Sequence, residues 1–481
     1  MIALNLMNGK WVEGHSKRFS PSFNPATGEQ IGKFADSDKV DAALAIESAK
    51  DAFYHSTWAH QPRLRQLVLL EWATRLEQKI EPLAQLLTLE NGKVIVQSRG
   101  EVLGAISEIR YYAGLARYIP GNFFEAEPGI YTSMLKEAAG VAGLIIPWNA
   151  PIVLLIRSLA PAMAAGCTSI IKSAPQTTQI TAAVLHCLNE VTSLPPGVVN
   201  LVSEQGHEVA ATLVESEDVD VISFTGSNRT GQKIMAAAAP TVKKLSLELG
   251  GKSCCLVFND VNVSDVAAKL VTAAIIISGQ QCTAARRILV HESIYDEMKI
   301  ALKQAVEAVK VGFGQDTGIQ MGPIIDASAL VRVHAEIERS LDSCDEVIVR
   351  GGRLGGVLSR GNFISPSLIA HQDDNAFFCQ DEIFGPLIVL ESFTDEKHAV
   401  KKANNTEYGL SASVWTNDGN RSLRIARALR NGTIWINDHN KLMAEAETGG
   451  YRKSGLGRLH GFDALIDFTE IKSIYQNVGV V

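Results

Sequence analysis

From residue 141 onward, short apolar runs alternate with segments of helical periodicity, and no other feature of this 481-residue chain restricts its fold as strongly. Residues 141–146, 169–172, 198–202, 219–224 and 245–249 are runs of strand length rich in Val, Ile and Leu. Between them, residues 179–191, 207–214 and 229–239 carry apolar side chains at three- and four-residue spacing. Strands separated by helices of this length predict βαβ units, because the crossover helix returns the chain to run parallel to the strand it left. A second series follows Gly250. Strands are expected at 253–258, 288–291, 364–369, 387–391, 411–416 and 433–437, with helices at 295–311, 396–403 and 421–429.

The expected fold class is therefore α/β, with a Rossmann-like first sheet. That expectation rests on architecture alone, since no GxGxxG motif follows residues 141–146. The part before it, to Gly121, reads helical at 40–53, 63–87 and 101–118 after a short strand-like start. Residues 123–137 then form a hairpin-prone arm with Pro128-Gly129 as its turn. The tail, 468–481, is rich in β-formers and suits an edge strand or an addition to a partner's sheet. A chain this long divides into two or three domains.

Composition narrows the function. Hydrophobic residues at 46% and charged residues at 20% are those of an ordinary soluble protein of enzyme size. A formal charge of -7 argues against a nucleic-acid binder. The most apolar stretch, 263–277, is broken by Ser264, Asp265 and Lys269 and falls short of the roughly 20 residues of a membrane span, so no membrane partner is expected. The first ten residues show no secretory pattern. Seven cysteines, none in a Cys-x-x-Cys pair, favour free thiols in a reducing cytoplasm over disulfides or a zinc site, and no metal is expected.

Only Cys282 lies in a glycine- and amide-rich setting, Ser278-Gly279-Gln280-Gln281-Cys282, with Arg286 and Arg287 close behind. Glu248 ends an apolar run and is followed by Gly250 and Gly251. A thiol and a carboxylate so placed are a nucleophile and a base in search of an electrophile. Three further strand ends carry polar groups. Phe224-Thr225-Gly226-Ser227, with Gly231 after it, either opens a phosphate-binding helix or simply caps one. Asn149, in Pro147-Trp148-Asn149-Ala150-Pro151, is either a donor to developing negative charge or a turn cap. Lys172 either meets a cofactor or is solvated. Lys252-Ser253 has the look of a P-loop end, but Ser246 stands where its first glycine belongs, which rejects that reading.

Taken together, these segments resemble the aldehyde dehydrogenase superfamily over nearly the whole chain. The pieces come in the family's order: Pro-Trp-Asn at 147–149, Lys172, Phe-Thr-Gly-Ser at 224–227 with Gly231, Leu-Glu-Leu-Gly-Gly-Lys at 247–252, Gly-Gln-x-Cys at 279–282, Glu-Ile-Phe-Gly-Pro at 382–386 and Ser-Gly-x-Gly-Arg at 454–458. The resemblance implies a cofactor domain of residues 1–121 and 139–249, a catalytic domain of 250–466, and a small β oligomerisation arm of 122–138 and 467–481 in a homodimer or homotetramer. It implies oxidation of a small-molecule aldehyde with NAD or NADP, Cys282 as nucleophile, Glu248 as base for the water that hydrolyses a thioester, and Asn149 as oxyanion donor. Ile146, Pro147, Trp148, Lys172, Gly226, Ser227, Gly231, Leu249, Glu382 and Phe384 would hold the cofactor. Val153, Arg157, Ile276, Leu442 and Thr448 would meet the substrate.

The chain departs from the family's pattern in places. Pro175 stands where many NAD-using members carry a glutamate, which removes a barrier to NADP. Ile277 replaces an asparagine and Leu459 a glutamate. Ala150, Ile276, Leu442 and Thr448 take places usually held by aromatics, so a wide, mainly apolar tunnel for medium or bulky aliphatic or aromatic aldehydes is expected. Arg157 matches an arginine of some semialdehyde-oxidising members, and Glu445 and Glu447 of the substrate loop are its expected internal partners. The rival readings are that semialdehyde activity, a CoA-acylating enzyme, against which Glu248 argues, and a non-enzymatic binding protein.

Overall fold

The five apolar runs after residue 141 form the parallel centre of an eight-stranded sheet in the computed structural model, which describes residues 1–481. In spatial order the sheet runs Gly455–Leu456, Lys244–Glu248, Val221–Thr225, Val141–Ile145, Thr168–Ser173, Val199–Ser203, Asn5–Met7 and Lys10–Val12. The five from Lys244–Glu248 to Val199–Ser203 are parallel, and short antiparallel strands close both edges. Val141–Ile145 and Val199–Ser203 are buried throughout, as continuous apolar runs between two helical layers must be. The chain winds one way from Val141–Ile145 through its next two strands and the other way through its last two. Ligands of α/β sheets bind where that reversal opens a crevice at the carboxyl ends of the strands. Residues 146–149, 226–227 and 249–250 leave those ends.

A seven-stranded sheet holds the second series, in the order Glu346–Val349, Ser367–Ala370, Leu387–Phe393, Arg287–His291, Cys254–Val257, Ser411–Trp415 and Thr433–Ile436. All neighbours are parallel except the first pair. The arm is a separate antiparallel sheet: Asn122–Glu127 turns through Gly129, at φ 77, into Ile130–Ala138, against which Thr469–Asn477 pairs along its whole length. The tail's strand thus finds its neighbour within the chain and leaves its other edge open.

Local differences from the sequence reading have local causes. The helix expected over 63–87 is two, Pro62–Glu77 and Ile80–Asn91, because Pro82 has no N–H for the Gln78 carbonyl and its ring would collide with it. The helix Ala327–Ser343 and the strand Glu346–Val349 were not foreseen, although Asp326 caps that helix and Ala329, Leu330, Val333, Ile337 and Leu341 give it an apolar stripe. The helix Pro151–Ala165 is buried at every position but Val153 and is the post around which the helices Pro62–Glu77 and Ile95–Leu115 pack. No helix is long and apolar enough to cross a membrane.

Candidate active site

Cys282 is delivered by a loop that the backbone can make only under constraint. After the helix Val263–Ile275 the chain passes through three left-handed residues in succession: Ile277 at φ 49, Ser278 at φ 56 and Gly279 at φ 72. Such a conformation is an outlier for a β-branched residue and persists only where surrounding contacts over-determine it. Those contacts are visible. Ser278 Oγ donates to the Gly322 carbonyl at 2.8 Å, and the Gln280 side chain donates to Ile277 O at 3.0 Å while accepting from Ile325 N at 3.0 Å. The Arg286 guanidinium donates to the carbonyls of Gly385, Gly279 and Gln281. A Cβ at Gly279 would overlap the Gly385 carbonyl, so glycine is required there. Cys282 emerges half-buried, whereas five of the other six cysteines are buried.

The Pro147–Pro151 loop is held by more than its prolines. The Trp148 carbonyl accepts from Asn91 Nδ2 at 2.8 Å, and the Asn149 carbonyl from Lys93 Nζ at 2.9 Å, itself ion-paired with Glu101. Asn149 Nδ2 donates to the Gln280 carbonyl at 3.1 Å, tying the amide to the cysteine loop and leaving its second N–H unspent. Glu248 ends its strand with a buried carboxylate whose Oε1 has no partner. Burial pushes its pKa up to about 8 against the opposing charges of Arg157 and Arg458. Burial likewise pushes the Cys282 thiol up to about 11, with Arg157 the main opposing charge.

Asn149, Glu248 and Cys282 line one cavity of about 510 Å³. Of the residues expected to hold a cofactor, Pro147, Trp148, Gly226, Ser227, Leu249, Glu382 and Phe384 line it too. Trp148 and Phe384 meet edge to face at 5.7 Å. Glu382 accepts from Gly251 N at 3.1 Å, an approach that the missing Cβ of Gly250 leaves open. Ser227 both lines the cavity and caps the helix Asn228–Ala238, accepting from Thr230 N. Three expected cofactor residues stand elsewhere. Ile146 is core, donating to the Lys172 carbonyl; Gly231 lets its helix press on Leu249, whose Cδ2 would lie 2.7 Å from a Cβ. Lys172 pairs with the buried Glu204 at 3.8 Å, because that carboxylate caps the next helix from the adjoining strand end. Arg229 and Arg332 line the cavity and were missed. Arg229's place beside Ser227 was the available signal; Arg332 rides on an unforeseen helix.

The expected substrate residues do not share that cavity. Ile276 lines a second one of about 510 Å³ with Trp415, His439 and Asn440, and Leu442 is 37% exposed beyond it. Val153 packs against the helical core, and its N–H faces Glu101 Oε1 at 3.3 Å. Thr448 exchanges both backbone hydrogen bonds with Leu459, and its buried hydroxyl is unpartnered. Arg157 does not pair with Glu445 or Glu447. Its Nη1 lies 3.1 Å from His460 Nε2, while Glu447 accepts from Asp463 N at 3.2 Å. The left-handed turn at His460 and Gly461 aims the imidazole inward, which the sequence did not announce. A larger cavity of about 630 Å³ lies beside Pro25, Pro175 and Asp326, with no cysteine in its wall, so volume does not locate the chemistry.

The family model described as "Aldehyde dehydrogenase family" matches residues 11–474. A betaine aldehyde dehydrogenase of Bacillus subtilis (strain 168) is 34% identical over 474 residues, 98% of this chain and 96% of the relative. A phenylacetaldehyde dehydrogenase of Pseudomonas fluorescens is 34% identical over 478 residues, 98% of this chain and 95% of the relative. The crystal structure of a betaine aldehyde dehydrogenase from Staphylococcus aureus, in complex with NAD+, superposes with a TM-score of 0.96 at 32% identity, over 99% of this chain and 95% of that one.

Proposed function

This chain belongs to the aldehyde dehydrogenase family, and on that premise we propose that it oxidises an aldehyde to the carboxylic acid through a thioester on Cys282. As a member of that family it is an oxidoreductase acting on aldehydes with NAD or NADP. The observation that carries the mechanistic reading is the meeting of Cys282, Glu248 and Asn149 in one cavity. A dinucleotide fits the remaining walls: Ser227 and the amino end of an eleven-residue helix suit phosphate, the Glu382 carboxylate suits ribose hydroxyls, and Trp148 and Phe384 offer apolar faces.

A nicotinamide dinucleotide held by Ser227, Glu382, Trp148 and Phe384 would supply the hydride acceptor. The Cys282 thiolate, its proton already given up to solvent, adds to the aldehyde carbonyl, and the free Asn149 N–H with the Cys282 backbone N–H takes the resulting oxyanion; loss of one such donor typically forfeits about 3 kcal/mol of transition-state stabilisation. Loss of hydride from that tetrahedral carbon leaves the thioester. The ionised form of Glu248, the minority form at neutral pH because burial raises its pKa to about 8, then accepts a proton from water as it attacks, and the acid leaves with the Cys282 thiolate restored. The presence of Glu248 favours water over CoA as the acceptor.

The substrate class, medium or bulky aliphatic or aromatic aldehydes, rests on the sequence, on Ala150, Ile276, Leu442 and Thr448 in place of aromatics, since none of these four lines the Cys282 cavity. The three-part division into 1–121 with 139–249, 250–466, and 122–138 with 467–481 is supported by the eight-stranded sheet, the seven-stranded sheet and the arm's own sheet, with Gly455–Leu456 crossing back to the edge of the first. A homodimer or homotetramer joined through the arm accounts for the exposed Phe123, Phe124, Ile471, Ile474 and Tyr475 on it. Seven unpaired cysteines suit the cytoplasm. The test is NAD(P)H formation across an aldehyde panel with both cofactors, for wild type and Cys282→Ala. The variant is expected to form none while still quenching or enhancing NADH fluorescence on binding; turnover in Cys282→Ala refutes the reading.

A further inference from the structure

Within the helix Pro151–Ala165, where the only other polar side chain is that of Ser158, one guanidinium is buried: Arg157 is 9% exposed. A charge taken out of water needs partners. Arg157 Nη1 lies 3.1 Å from His460 Nε2, and His460 Nδ1 lies 2.7 Å from Glu108 Oε2, with the His460 and Glu108 side chains 3% and 2% exposed. An arginine only donates, so Nε2 accepts and the imidazole proton sits on Nδ1, donating to Glu108. The chain of hydrogen bonds therefore has one direction, from Arg157 through His460 to Glu108. It joins the helix Pro151–Ala165, a left-handed turn at His460 and the helix Ile95–Leu115.

A purely structural chain would close its hydrogen bonds, and this one does not. Arg157 Nε and Glu108 Oε1 are buried without partners, as is Oε1 of the neighbouring Glu248. The charges that bear on the three groups are few. Burial disfavours the charged form of Cys282, Glu248 and His460; against it Arg157 is the largest opposing charge on Cys282 and on Glu248, with Arg458 second on Glu248, while Arg157 adds to burial on His460 and Glu108 opposes it. Arg157 is the one cation common to the nucleophile and the base.

We propose that Arg157, held by His460 and Glu108, is a positioning residue that presents a fixed positive charge to Cys282 and Glu248, supporting the thiolate in the first half-reaction and the carboxylate in the second. The inference rests on Cys282 being the nucleophile. Its test needs neither aldehyde nor cofactor, so the two readings fail separately.

The measurement is alkylation of Cys282 by iodoacetamide in the whole protein at one mildly alkaline pH, with Cys282→Ala as the blank for other thiols. Arg157→Met is expected to be alkylated about tenfold more slowly, the effect of a one-unit rise in thiol pKa. Arg157→Lys is expected to recover most of the rate, and His460→Leu and Glu108→Gln, which leave the cation unheld, to fall between. A folded Arg157→Met alkylated at the wild-type rate overturns the proposal, as does Arg157→Lys reacting as slowly as Arg157→Met, which would make the effect one of packing. If Arg157→Met does not fold, wild-type rates in both His460→Leu and Glu108→Gln overturn it. Unchanged alkylation with selective loss of succinic semialdehyde turnover relative to hexanal would make Arg157 a substrate anchor instead.

Discussion

Replacing Glu248 with glutamine is expected to abolish turnover and to stabilise the protein, by an amount that grows with pH. The carboxylate is buried, one oxygen has no partner, and its pKa is raised from 4.5 to about 8. A carboxyl group whose folded pKa lies above its unfolded value leaves the folded state fully stable below the unfolded pKa. Stability is then lost as pH rises toward the folded pKa. Near neutral pH the wild type has passed most of that window, a loss of about 3 kcal/mol at roughly 1.4 kcal/mol per unit. Glutamine never ionises and keeps the shape. For a chain of this length the unfolding entropy is about 1 kcal/mol per degree, so Glu248→Gln should melt about 3 °C higher than wild type at pH of about 7 to 8 and within about 1 °C of it near pH 5. The assay is a pair of melting curves at each pH, alongside stopped-flow NAD(P)H absorbance. The kinetic trace should show one fast burst and then stall, because the thioester forms but water is no longer activated. A melting difference that does not change between the two pH values refutes the buried, neutral carboxylate; steady turnover refutes its role as base.

Gly279→Ala places a Cβ against the Gly385 carbonyl at a φ of 72; if it folds, kcat should fall about a hundredfold, the order of effect of a nucleophile misplaced by an ångström, with NADH affinity unchanged by fluorescence titration. Pro175→Glu restores a carboxylate at the start of the short helix Pro175–Thr177; it should weaken NADP binding at least tenfold more than NAD binding, read by titration of the reduced cofactors. Wild-type kcat/KM for NAD exceeding that for NADP by more than about a thousandfold, some 4 kcal/mol, would sink the use of both cofactors.

Several features of the site were legible because they depend on residues close in sequence. Asn149, Gly226, Ser227 and Glu248 all stand at the ends of apolar runs, and a run long enough to be a strand carries its terminal residue to the sheet's edge; Cys282, which follows a helix, was legible from its glycine- and amide-rich setting. The hairpin of the arm was readable from Pro128-Gly129 for the same reason. Lys172 was not. A lysine at a strand end looks free in the sequence, and only the adjoining strand, thirty residues later, brings Glu204 beside it.

The sequence by itself determined the alternation of strands and helices through both sheets, apart from the elements at 327–349, together with the parallel α/β class and the candidate nucleophile, base and oxyanion donor, since periodicity and strand ends are properties of neighbouring residues. Tertiary structure alone decided how those side chains are tuned. Ile277 adopts a left-handed backbone only because Gln280, Ser278 and Arg286 are tied to carbonyls and amides from residues 322, 325 and 385. Glu248 is made hard to ionise by burial, against the charges of Arg157 and Arg458 from other elements. Arg157 finds its acceptor on His460, and through it Glu108, across more than 300 positions of chain. Electrostatic energies depend on distance in space and on exclusion of water, and neither is set until the chain has closed around the site.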